Sequence, residues 1–223
     1  MSSVRSQRKA ETRQRILDAA LLLLASGRSL DSLGLREVAR EASLAPPSLY
    51  NHFGTMDDLG LALIDLACYR LRSVMRQDRQ QMVVSNPAAG VRDLVERFLH
   101  YLDSYEAEFR LLVQQRLGTS ARFRKRIHRE LQLFREELED DARAVAVARD
   151  LPPMDYLAAT EAAVAIMFGF GILAIELSPA ARQAAVSRTV SELNMVFLGG
   201  RALAAGAEPG DRLVVEPRNK GHK

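Results

Sequence analysis

Between Lys9 and Ala204 the apolar residues recur three and four positions apart, a spacing that leaves no room for a sheet of any size. Alternation with β-branched residues appears only at "RLVVE", residues 212–216, a short run set among Pro and Gly. The periodicity predicts an all-α chain of about nine helices, over 9–25, 36–42, 46–52, 55–82, 91–105, 107–117, 120–148, 154–176 and 179–204. Proline opens a helix but cannot continue one, and Pro152-Pro153 and Ser178-Pro179 separate the last three. A break at Gly54-Thr55 divides the chain. Residues 1–54 make three helices and residues 55–204 a larger bundle. Residues 205–223, rich in Gly, Pro and charge, are expected to be disordered.

Composition removes several classes. With 48% hydrophobic and 26% charged residues over 223 positions, the chain has an ordinary globular balance and length enough for a sizeable core. Its single cysteine, Cys68, allows neither an internal disulfide nor a multi-cysteine metal site. The longest apolar run, "AAVAIMFGFGILAI" from Ala162 to Ile175, falls short of the roughly 20 residues a spanning helix needs. It reads as a helix buried on all sides. The basic N-terminus is not followed by an apolar leader, so a soluble cytoplasmic protein is expected. The four histidines, His52, His100, His128 and His222, are scattered, and HExxH, nucleophile-elbow and phosphate-loop patterns are missing. No catalytic residue, metal site or cofactor is assigned, and an enzyme is not expected.

The segment "EASLAPPSLYNHF", Glu41–Phe53, is of a different kind. A short helix, Arg36–Ala42, is followed by a tight corner at Ser43-Leu44 and a second short helix from Pro46. This is a helix-turn-helix arrangement, whose second helix enters the major groove. Proline suits the first helical turn, where its missing N–H costs nothing. Ala45, Pro46 and Pro47 therefore present an apolar leading edge to thymine methyls and sugars. Ser48 offers a hydroxyl to base or phosphate, and Tyr50 and His52 reach for phosphate oxygens. Arg36 offers its fork to guanine or phosphate. Leu49 and Phe53 are expected to face inward. A basic stretch precedes this unit: Arg5, Arg8, Lys9, Arg13 and Arg15 against Glu11 alone, suited to phosphates through counterion release.

The stretch "TRQRILDAALLLLASGRSLDSLGLREVAREASLAPPSLYNHFGTMDDLGLALI" resembles the N-terminal domain of the TetR family of bacterial repressors. The resemblance implies a homodimer whose two heads bind a palindromic operator in double-stranded DNA, and a C-terminal domain that binds a small effector. Two positions depart from the family pattern. Ser43 stands where a glycine is usual, and Met56 where many members carry a phosphate-binding lysine. "GLREVAREA" and "FRLLVQQRLGTSARFRKRI" are similar to the repressors of unsaturated fatty-acid synthesis and desaturation. That similarity implies sensing of a long-chain acyl thioester, acyl-CoA or acyl-ACP.

In the larger domain, Phe98, Leu102, Phe109, Leu112, Val113, Phe123, Ile127, Leu131, Phe134 and Phe168 are candidates to line an elongated apolar cavity, with Arg116 at its polar end. Arg122 and Arg124 extend that basic group toward the phosphates of a coenzyme A. The same stripe is what a plain core would show, and "RFRKR" equally suits a solvated face. Gly169 and Gly171 allow close helix approach, leave room for a ligand, or sit at a dimer interface. The last two helices, rich in Ala, Met, Val and Leu, suit a four-helix dimer bundle. Two alternatives stay open. One is the same kind of repressor with a drug-like effector, which a buried carboxylate among aromatics would favour. The other is an all-helical lipid-binding or acyl-transfer protein with no DNA role.

Overall fold

The computed structural model describes residues 2–76 and 87–206. The expected end of the fourth helix at Met82, the "RLVVE" run and all but the first two residues of the expected tail lie outside that range. Eight α-helices and one 3-10 turn are present among the described residues, with no strand. They are α1 Ser2–Ala25, α2 Leu35–Glu41, α3 Pro46–Tyr50, α4 Met56–Arg76, α5 Pro87–Leu117, α6 Ala121–Ala148, α7 Tyr156–Ala174 and α8 Pro179–Ala204; the 3-10 turn is Leu30–Ser32.

Helix α1 starts seven residues earlier than the periodicity predicts. Residues 2–9 carry no apolar stripe, but they contain neither Gly nor Pro, so nothing breaks the helix. Ile16, Leu17, Ala20 and Leu24 make its buried face. The chain turns out of it at Gly27, where φ is 90°. The expected helices over 91–105 and 107–117 meet at a kink within α5, where Tyr105 is non-helical (φ −136°, ψ 34°), so the expected boundary falls at that break. Helix α7 begins at Tyr156 because Asp155 caps it, accepting from the Ala158 N–H at 3.0 Å.

Two apolar clusters organise the chain. The first joins α1, α2, α3 and the first half of α4, and it does not stop at the head. Leu111 and Leu112 of α5 and Phe123 and Ile127 of α6 belong to it. The second fills the bundle, with Leu71 and Met75 of α4, Phe98 and Phe109 of α5, Phe134 of α6, Phe170 of α7 and Leu193 of α8. Gly171 lets α7 meet α5. A Cβ there would stand 2.5 Å from Phe109 Cζ and 3.0 Å from Phe98 Cε1. Gly169 has open space instead.

Helix α7 is not buried all round. Leu157, Ile172 and Leu173 are exposed, and Met195, Leu198 and Leu203 of α8 are exposed too. By length and composition Tyr156–Ala174 would also serve as a membrane span, at 19 residues rather than the 14 of its uncharged stretch. In the fold its other face packs into the second cluster through Ala163, Met167 and Phe170.

Candidate nucleic-acid interface and effector chamber

The turn between α2 and α3 is built from backbone hydrogen bonds. Leu44 N–H donates to Ala39 O at 2.8 Å and Ser43 N–H to Arg40 O at 3.0 Å, a paired closure that requires a left-handed residue between them. Ser43 is that residue, with φ 53°. Glycine is the unstrained choice there. Arg15 reaches across from α1 and donates to Ala42 O at 2.8 Å, which ties the corner to the first helix.

Helix α3 follows with Pro46 and Pro47 in its first turn and ends at Tyr50, two residues before the expected end. Leu49 is fully buried and Phe53 nearly so, as expected, and they anchor the helix to the head core. Ala45, Pro46, Pro47, Tyr50 and Arg36 are exposed, and Ser48 is half-buried. Tyr50 keeps 48% of its surface open. His52 is not free on its helix but sits in the turn after it, half-buried, with Nδ1 enclosed and unpartnered. Burial, then Lys9, then Arg13 push its pKa down, so the ring is neutral at pH 7 and offers one N–H. Lys9 and Arg13 were expected only as part of the basic stretch and not beside His52. The Arg13 guanidinium lies 4.7 Å from the centre of the Phe53 ring, which brings α1 alongside the end of α3.

Residues 16–63 match the family pattern described as bacterial regulatory proteins, tetR family. That match spans the head, from the second half of α1 to the start of α4. Solved structures of similar fold span nearly the whole described chain. A transcriptional regulator FadR from Bacillus subtilis, in complex with stearoyl-CoA, superposes with a TM-score of 0.67 at 13% identity, over 82% of this chain and 96% of that one. The TetR family regulator PfmR from Thermus thermophilus gives 0.61 at 18%, over 82% and 96%. AibR, in complex with isovaleryl coenzyme A and operator DNA, gives 0.59 at 14%, over 84% and 97%. At these identities the likeness concerns the fold.

The head is joined to the bundle through α4. Thr55 caps that helix, accepting from Asp58 N–H at 3.1 Å. Met56, in the place of the usual lysine, is half-buried against the head core. Gly60 lets α6 approach, since a Cβ would stand 2.6 Å from Phe123 Cζ. Ion pairs run along the same contact: Arg122 to Asp58 at 3.7 Å, Arg126 to Asp65 at 2.6 Å and Arg72 to Glu130 at 3.3 Å. Arg122 is thus engaged with Asp58, and Arg124 donates to Gly118 O and Thr119 O at 2.6 and 2.8 Å. Both point away from the interior role considered for them.

The expected cavity residues divide. Leu112, Phe123 and Ile127 belong to the head cluster, while Phe98, Leu102, Phe109 and Phe134 are buried in the bundle with Val113 and Phe168 at its edge. Arg116 is exposed, its guanidinium 5.0 Å from the Phe168 ring centre. Two hollows lie between α4, α5, α6 and α7, of about 10 and about 30 Å³, and they share Leu71, Leu131, Phe134 and Phe168 as walls. Each has room for little more than a water. Phe98 lines the larger and Leu112 and Ile127 the smaller. Leu102, Phe109, Val113, Arg116 and Phe123 line neither.

A buried polar group near the junction escaped the sequence reading. Glu108 of α5 is buried and paired with Arg70 of α4, with its second oxygen unpartnered. Burial pushes its carboxyl pKa up, against the pull of Arg70. Tyr101, on the same helix, is fully buried with its hydroxyl unpartnered. The two lie on either side of the kink at Tyr105, so helical spacing gave no signal for the pair.

Proposed function

We propose that the chain is a homodimeric, cytoplasmic repressor whose larger domain, residues 55–204, senses a long-chain acyl thioester and so regulates genes of fatty-acid synthesis or desaturation. The observation that carries the effector class is the chamber wall. Its two hollows share four apolar walls and are faced by Leu, Ile, Phe, Met, Val and Ala with only Arg72, Glu130 and the neutral Cys68 thiol beside them. Such a lining discriminates by length and shape, as an alkyl chain requires. Two proteins of the same fold hold coenzyme A thioesters. The exposed apolar residues of α7 and α8 support a dimer closed through those helices. DNA contacts are assigned to Arg36, Ala45, Pro46, Pro47, Ser48, Tyr50 and His52.

The reading with a drug-like effector draws on Glu108, a buried carboxylate beside Tyr101 and Tyr105. Arg70 already neutralises it, and it faces neither hollow. The acyl reading is therefore the better supported. Native mass spectrometry of the purified chain tests it: a dimer carrying acyl-CoA is expected. A stable monomer contradicts the two-headed reading. A dimer that neither retains nor binds added stearoyl-CoA contradicts the effector.

A further inference from the structure

The basic N-terminal segment is not a loose arm but the first turns of α1, and this changes what it does. We propose that Arg5, Lys9 and Arg13 form a fixed rail along α1 that grips the phosphates of one DNA strand outside the base pairs reached by α3. The inference rests on the DNA-binding reading of the head and extends its footprint.

Three observations carry it. Residues four apart share a helix face, so 5, 9 and 13 lie in line. The direction of that face is set by its inner end, where Arg13 stacks on Phe53 just after α3 and Lys9 and Arg13 are the charges that act on His52. The rail therefore ends where the reading helix ends. Third, these cations have no carboxylate partner among the described residues, and Arg8 beside them has none. Elsewhere in the head Arg28 pairs with Glu37, and Arg15 bonds the α2 corner. Glu11, two residues beyond Lys9, falls on the other side of the helix.

Charge complementarity names the occupant. Eight residues of helix rise about 12 Å. A DNA strand presents one phosphate per about 3.4 Å of axis, so the rail spans about three. A preformed helix meets them without the ordering cost a flexible arm would carry.

The test uses the full chain and a duplex it selects from a random library of about 30 base pairs, held between constant flanks and covering two half-sites a few helical turns apart. Arg5→Ala with Lys9→Ala removes two exposed cations and keeps good helix formers. With two contacts per head and two heads, the slope of log binding constant against log salt is expected to fall by about 3.6. Base preference should stay unchanged. Trimming the flanks should weaken the wild type and leave the double variant unaffected. Arg5→Glu with Lys9→Glu should weaken binding further at unchanged far-ultraviolet dichroism, which separates charge from loss of helix. An unchanged slope, or an altered base preference with the slope kept, overturns the rail while leaving the head's role intact. Enrichment of no duplex at all would overturn the DNA reading itself, and the rail with it.

Discussion

Gly171→Ala tests whether the bundle core is as tightly closed as its small hollows imply. Alanine is favoured over glycine in a helix by about 1 kcal/mol, so propensity alone predicts a gain. Packing opposes it. The new methyl would stand 2.5 and 2.8 Å from Phe109 and 3.0 Å from Phe98. Those rings are buried at 0% and 4% exposure and meet edge-on with centres 5.6 Å apart. Phe109, the nearer ring, is fully enclosed and lines neither hollow, and such overpacking costs about 1–3 kcal/mol. Gly169, on the same helix with nothing within 4 Å, supplies the reference. Gly169→Ala shares the propensity gain, so the difference between the two variants isolates the packing cost at about 1–3 kcal/mol. For a chain of this size that is roughly 2–12 °C in Tm. Thermal and urea unfolding, with association state followed by light scattering, reads it. Equal stabilities would refute the reasoning, because they would mean the rings yield freely.

Other consequences concern single sites. Ser43→Gly should stabilise the chain by about 1 kcal/mol in urea unfolding, since only the left-handed strain at φ 53° is removed and no side-chain bond is lost. Tyr50→Phe with His52→Ala should weaken binding to all duplex sequences alike, by about 1 kcal/mol per lost phosphate bond, in gel shifts against specific and random DNA. Glu108 gives a pH dependence. Its folded pKa lies above the ordinary carboxylate value, so the fold favours the protonated acid. Stability from this group is fullest below the unfolded pKa and declines as pH rises from that value through the raised folded one. Urea midpoints at several pH values should show that decline in the wild type and not in Glu108→Gln.

The all-helical fold and the helix pair were legible because local rules decide them. Apolar spacing buried Val38, Ala39, Leu49 and Phe53, and proline opened α3. Ser43 was visible only as a departure from a usual glycine; its left-handed φ is the reason that position matters. The first turns of α1 were left out of the predicted helix because they carry charge and no apolar stripe, yet charge does not break a helix. Arg122 was the opposite case. Its partner, Asp58, is remote in sequence, so no local rule places the pair. The hollows are a sum of tertiary contacts, which is why the apolar stripe named candidates without separating wall from core.

One wall belongs to both halves of the molecule, and it predicts how they communicate. Ile127 lines the smaller hollow and belongs to the head cluster. One turn earlier Phe123 fills the space left by Gly60, and Arg126 bridges α6 to Asp65 of α4. Effector pockets run to about 300–1,000 Å³, far beyond these hollows, so a bound chain has to separate their walls. If α6 yields, Phe123 and Ile127 shift within the head core, and the head moves with them. Effector and DNA then compete or cooperate with a coupling of about 1–3 kcal/mol. Asp65→Asn with Arg126→Gln cuts the most direct tie. Both side chains are partly exposed, at 46% and 37%, so the cost in stability should stay below about 1 kcal/mol. Affinity for DNA alone and for stearoyl-CoA alone should change little, whereas the ratio of DNA affinities with and without saturating stearoyl-CoA should move toward one. A ratio that keeps its wild-type value while both ligands still bind would show that the signal bypasses α6.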